Sequence, residues 1–198
     1  MLTALGYTIP FAFASGLNVY ATVAVIGLCS HYGLVTLPEQ FRGLDNPIVI
    51  GVALLMYAVE FVADKIPWVD SIWDAVHTVI RPLGGALVAV AALGDASPAV
   101  TTAAALLGGS VALTTHLTKA GTRAAANASP EPFTNWILSV VEDLFAVGLT
   151  YGAIRHPRIA VAVALVLLAA IAVFAAVIWK AARRYLFGRA KRGQILRS

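Results

Sequence analysis

From Ile159 to Trp179 the sequence runs for 21 residues without a polar or charged side chain. At about 1.5 Å per residue a helix of that length covers the ~30 Å hydrocarbon core of a bilayer. Such a segment reads as a transmembrane helix, and it constrains everything before it to fold in or against a membrane. The composition agrees: 60% of the 198 residues are hydrophobic and 12% are charged, against about 25% charged in soluble domains. The mean hydropathy of +0.83 excludes a disordered chain, since apolar surface to bury is abundant. The chain is expected to be all-α, a polytopic transmembrane helical bundle of one domain over residues 1–179, followed by a basic tail over 180–198.

Breaker residues divide the remainder. The first apolar segment, Thr3 to Cys29, is interrupted by Pro10, Gly16 and Asn18, so the spacing predicts a broken or kinked helix around Ala14–Asn18. A loop over His31–Asn46 precedes a second segment, Pro47–Ala63, which Asp64-Lys65-Ile66-Pro67 ends. Trp68–Arg81 is amphipathic: Val69, Ile72, Trp73, Val76 and Ile80 form one stripe, and Asp70, Asp74, His77 and Arg81 another. It reads as an interfacial or re-entrant helix, and the short apolar run Pro82–Gly94 crosses only if this helix contributes. Further segments follow at Pro98–Leu117, with a polar continuation over Lys119–Ala128, and at Phe133–Ile154 and Pro157–Trp179. Ser129-Pro130-Glu131-Pro132 breaks the chain between them. About six spans result. Gly108-Gly109-Ser110 offers a small-residue face of the kind on which membrane helices approach closely, consistent with a homodimer.

Charge distribution sets an orientation. With six spans and a cytoplasmic start, Lys65, Arg81, Lys119, Arg123 and seven tail residues lie inside, and Arg42, Arg155 and Arg158 outside. The positive-inside rule therefore expects both termini in the cytoplasm, with the tail against anionic lipid. No basic n-region precedes the first apolar segment, so no cleavable signal peptide is expected. The formal charge of +4 comes without a stacking or groove-reading module, which argues against nucleic acid. Cys29, the lone cysteine, reads as a packing residue.

A weak internal repeat is also present. Ala14–Asn18 loosely echoes Lys119–Arg123, and Val59-Glu60 echoes Val141-Glu142. Three spans separate each pair, so halves 1–95 and 96–179 would have inverted topology, an architecture found in transporters.

Chemistry concentrates in few residues. Glu60 and Asp64 share a helix face inside the apolar region, where an unpaired carboxylate costs several kcal/mol. They either line a pathway or form structural pairs with Lys65, Lys119 or Arg123. Glu142 and Asp143 point about 100° apart, and Glu142 is expected to face the centre. Ser15 and Asn18 sit at the predicted break, where freed backbone groups could coordinate a substrate or merely cap a kink. Lys119, Arg123 and Asn127 recur at helical spacing, as anion or lipid-phosphate contacts or as partners of Asp64, Asp70 or Asp74. Asp70, Asp74 and His77, with His116, have ligand types suited to a divalent metal, or form a solvated, ion-paired face. No nucleophile elbow, zinc-protease motif or phosphate loop occurs, so no enzyme and no cofactor is expected.

The run Glu60, Asp64-Lys65-Ile66-Pro67, Asp70, Trp73-Asp74, His77-Thr78, Arg81-Pro82 and Gly85-Ala86 resembles a bacterial family of small integral membrane proteins, domain-of-unknown-function family 4126. Lys119, Arg123, Asn127, Ser129-Pro130 and Glu142-Asp143 extend the resemblance over residues 10 to 157. In that family a basic residue often stands where this chain has Asn18. The resemblance implies an inner-membrane protein and supplies no activity. The residues themselves lead to the expectation of a small transporter or channel for a cation or proton-coupled solute. Glu60, Asp64, Glu142, Asn18 and Ser15 would line the path, with Lys119, Arg123, Lys65 and Arg81 as counter-charges. The alternative is a non-transporting scaffold or lipid-binding protein held together by its ion pairs.

Overall fold

The computed structural model describes residues 2–35, 39–128 and 132–195. It contains six α-helices: α1 Leu2–His31, α2 Pro47–Ala63, α3 Pro67–Leu93, α4 Pro98–Asn127, α5 Pro132–Arg155 and α6 Pro157–Ile195. A short 3₁₀ helix, Glu39–Asp45, lies between α1 and α2. Proline begins each helix from α2 to α6, where its missing N–H costs nothing and its fixed φ suits the first turn. Asn46 adds a cap, its side chain accepting from the Ile48 N–H at 2.8 Å. Gly94, at φ 72° and ψ −148°, ends α3 in a conformation that only glycine adopts readily.

Five helices are long and apolar enough to cross a membrane: Gly6–His31, Pro67–Leu93, Pro98–Asn127, Phe133–Arg155 and Pro157–Ala181. Pro47–Ala63 is shorter, 17 residues, or about 26 Å. The structure is therefore a helical membrane bundle. Residues 1–164 form one compact unit; a second, 165–198, contains among its described residues only the continuation of α6. Of the apolar window of α6 only 6% is buried, against 72% for α1. The apolar run of α6 is thus left largely uncovered within the chain, and α1 is the most buried of the five.

The stretch expected as a separate interfacial helix is the first half of α3, which runs unbroken through Pro82. Its polar stripe is not solvated: Asp70, Asp74, His77 and Arg81 are all buried. The contribution of that stripe to the span is what makes 67–93 long enough to cross. The polar continuation after Leu117 is likewise helical, part of α4. The break expected at Ser129-Pro130 lies outside the described residues.

The kink expected in α1 is present, at Asn18, whose φ of −154° and ψ of 101° are extended rather than helical. Contacts on each side give the direction of the two arms. Residues 6–17 run antiparallel to α5: Asn18 bonds Asp143, the Phe13 ring meets Phe145 at 6.3 Å, and Gly6 lies against Pro157. Residues 19–31 turn back toward that same end. Val23 lines a groove with Val49, Val52 and Leu87, and Gly27 lies against Ile50. The ring of Phe11 in the first arm meets Phe41, beyond the second, at 5.8 Å. Both arms therefore open on the face where α2 begins and α5 ends, with the apex at residues 16–18 inside the bundle. The first apolar segment, long and apolar enough for a crossing, is thus folded into two arms. The re-entrant element is α1, because one extended residue reverses its course and buried polar groups receive its apex.

Small residues bring the helices together. A Cβ on Gly108 would collide with Ala89 Cβ and the Gly85 carbonyl, and one on Gly16 with the backbone of Ala112. The small-residue face around Gly108 is thus occupied within the chain, by α3, rather than offered to a second copy. The repeat does not extend to backbone geometry: α1 breaks at Asn18, whereas α4 passes through Gly121 without a break.

Overpacking a membrane-helix contact typically costs about 1–3 kcal/mol. Gly108→Val should therefore lower the Tm of the detergent-solubilised protein clearly, whereas Gly51→Ala, which meets nothing within 4 Å, should leave it unchanged. Equal shifts would contradict the α3–α4 packing.

Candidate functional site

The turn between α2 and α3, the end of α4 and the start of α5 lie at the face opposite the arms of α1. From there a ladder of charge runs inward. Asp64, just past α2, accepts from Arg123 Nη2 at 2.6 Å and Lys119 Nζ at 3.1 Å. Lys119 also reaches Glu60 Oε1 at 3.4 Å and Glu142 Oε2 at 3.7 Å. Glu60 accepts from Arg81 Nη2 at 2.7 Å with both side chains fully buried. Arg81 lies 14 residues into α3, about 20 Å along its axis, so the ladder reaches the middle of that helix.

Each rung is tied to a second element. Arg123 Nε donates to Glu142 at 3.1 Å, and its Nη1 donates to Asn135 Oδ1 at 2.7 Å and to the Asp64 carbonyl at 3.0 Å. Asp70 accepts from Asn127 at 2.9 Å and lies 3.8 Å from Arg123. Asp74 lies 3.5 Å from Arg81. Arg81 Nη1 donates to His116 Nδ1 at 2.6 Å. Guanidinium only donates, so His116 carries its proton on Nε2, which faces the Asp74 carbonyl at 3.1 Å. His77 has the other tautomer: Nδ1 faces the Trp73 carbonyl at 2.8 Å, and Nε2 accepts from the Tyr20 hydroxyl at 3.1 Å.

The ladder ends on the apex of α1. The first arm leaves carbonyls without intrahelical donors, and two cations take them: Lys119 Nζ donates to the Leu17 carbonyl at 3.1 Å, Arg81 Nη1 to that of Gly16 at 3.4 Å. Cations at a helix C-terminus also complement its dipole. Asn18 caps the second arm, its Oδ1 accepting from the Ala21 N–H at 2.9 Å, while its Nδ2 donates to Asp143 Oδ1 at 2.9 Å.

Of the residues singled out by sequence, Glu60, Asp64, Glu142, Lys119, Arg123 and Arg81 form one network, and Asn18 sits at its inner end. Ser15 is buried beside the break with its hydroxyl unpartnered. Lys65 is not part of the network. It sits 3.0 Å over the Phe61 ring and donates to the Phe61 carbonyl at 2.9 Å, and burial lowers the pKa of its ammonium. Asp70, Asp74 and His77, offered by sequence either as metal ligands or as an ion-paired face, do not converge. Each turns to its own partner, and among the described residues no three His, Cys, Asp or Glu side chains converge for a metal. Asp70 and Asp74 instead line a cavity of about 220 Å³ with Arg123 and Asn127.

Sequence reasoning chose Glu142 over Asp143, but both are used, on different sides of α5. The overlooked signal is a stripe: Asn135, Ser139, Asp143 and Thr150 recur at helical spacing and are all buried.

The profile of a family described as a domain of unknown function (DUF4126) matches residues 5–177, and the chain belongs to that family. No curated protein and no solved structure matches the chain.

Removing one partner of a buried ion pair costs about 3–5 kcal/mol, because the other charge stays behind. Asp64→Leu should lose that much stability in reversible detergent–denaturant unfolding, and Asp64→Asn, which keeps an acceptor, clearly less. A cost of under about 0.5 kcal/mol, the range of surface substitutions, would refute the burial of this pair.

Proposed function

We propose that this protein is a small membrane transporter or channel for a cation or proton-coupled solute. One observation carries the reading: a broken re-entrant helix places its free carbonyls and its cap against a buried network rich in carboxylates. Among the described residues three buried cations, Arg81, Lys119 and Arg123, pair with Glu60, Asp64, Asp70, Asp74 and Glu142, and a sixth acid, Asp143, is buried without a cation. The excess of acid leaves Glu60 Oε2, Asp64 Oδ1, Asp70 Oδ1 and Asp143 Oδ2 without hydrogen-bond donors. Discontinuous helices facing ionisable groups at mid-membrane are how transporters build ion sites. In this reading Glu60 and Asp64 bind and release the ion, Glu142 links the path to the cavity side, and Lys119 and Arg81 return as counter-charges when the ion leaves. The role assigns no catalysis.

A second reading has its own support. Every buried cation bonds at least two helices at once, so the same network would serve a scaffold or lipid-binding protein by locking α2 to α5. Flux separates the two. Purified protein in liposomes should pass protons or a monovalent cation, and Glu60→Gln should abolish that flux while the protein elutes and melts as folded. A folded wild type without flux of protons, Na⁺, K⁺ or divalent ions would favour the scaffold.

The orientation in this reading rests on charge. By the positive-inside rule the basic stretch after Trp179 lies in the cytoplasm of a plasma membrane. In a Cys29→Ser background, Arg184→Cys should be labelled by an impermeant thiol reagent only after lysis. Labelling in intact cells would refute it.

A further inference from the structure

Asp143 differs from the other acids of the bundle. It is 3% exposed, yet among the described residues no cation lies within 4.0 Å of it, whereas Glu60, Asp64, Asp70, Asp74 and Glu142 each have one. Its one hydrogen bond comes from Asn18 Nδ2, and its Oδ2 is buried without a partner. The charged groups that act on it from neighbouring elements are Lys119 of α4, Glu60 at the end of α2, and Asp64 and Lys65 of the following turn. All stand beyond ion-pair distance, and the two carboxylates oppose the effect of Lys119.

An isolated carboxylate in a low-dielectric site is relieved by taking up a proton. The surroundings of Asp143 suit a proton better than a metal cation. Asn18 turns its amide N–H₂, not its oxygen, toward the carboxylate, and the Asn18 oxygen is occupied by the Ala21 N–H. Two hydroxyls on the same two helices, Ser15 and Ser139, are fully buried and unpartnered.

We propose that Asp143 is a proton-binding site at the apex of the re-entrant helix, separate from the ion-paired ladder, with the proton on Oδ2 and Asn18 bonded to Oδ1. Binding forms one O–H bond on Oδ2 and breaks one O–H bond of the hydronium that delivers the proton, which leaves as water. Because Asn18 both caps the second arm of α1 and bonds Asp143, the charge of Asp143 acts directly on the residue at which α1 breaks. The site does not depend on the transport reading: Asp143 can bind a proton whether or not Glu60 carries flux.

The test is pH-difference infrared spectroscopy of the full protein in lipid. One protonated-carboxyl C=O band should titrate, vanish in Asp143→Asn, and persist in Glu60→Gln. Asp143→Asn keeps the acceptor for Asn18 and should melt like the wild type. Asn18→Ala removes the donor that favours the charged form, so the midpoint of the same band should rise by about one to two pH units. That shift tests the site independently of whether Asp143→Asn folds. A band that survives Asp143→Asn, an unmoved midpoint in Asn18→Ala, or a response to Na⁺ or K⁺ at constant pH would overturn the proposal.

Discussion

Everything in the bundle depends on keeping charge out of hydrocarbon. Arg81, deep within α3, is fully buried. Its position is tenable only because α2 supplies Glu60, α4 supplies His116 and α1 supplies the Gly16 carbonyl. Arg123 imposes the same condition on Asp64, Asn135 and Glu142. Two guanidiniums thereby set the relative rotation and depth of five helices, with a specificity that aliphatic contacts between membrane helices do not supply. The planar, always-charged fork is central here; an ammonium at either place would satisfy fewer partners at once.

That constraint explains which parts of the architecture were legible in the sequence. The prolines that open α2 to α6 and the aliphatic run of α6 report local physics, and the predicted elements follow them. The break at Asn18 was legible for the same reason. The direction of the chain after that break was not. Hydropathy measures whether a segment can lie in a membrane, and Gly6–His31 qualifies on length alone. Whether it crosses or turns back depends on Phe41, Val49 and Pro157, which are far away in sequence and show no periodic relation to it.

The site divides in the same way. Lys119 and Arg123 were recognisable as partners of Asp64 and Asp70, since opposite charges on apolar helices have few other solutions. The amphipathic stripe of α3 suggested solvent, because polar residues on one helix face usually meet water. Here they meet the polar stripes of α4 and α1 instead. Lys65 looked equivalent to the buried cations by composition, but it follows the last turn of α2 and is held by Phe61. The role of Asp143 was hidden by its neighbour. Only the four-residue spacing from Asn135 and Ser139 separates the two acids onto different sides of α5.

The Asn18–Asp143 bond joins residues 125 positions apart. The apex of α1 precedes its partners in the chain, and its polar groups are met only when Arg81 of α3, Lys119 of α4 and Asp143 of α5 are in place. Until then an arm that does not cross has nothing at mid-depth to receive its carbonyls. The α1 hairpin is therefore seated by helices that follow it in the chain, and its polar apex, more than its hydropathy, ties it to them.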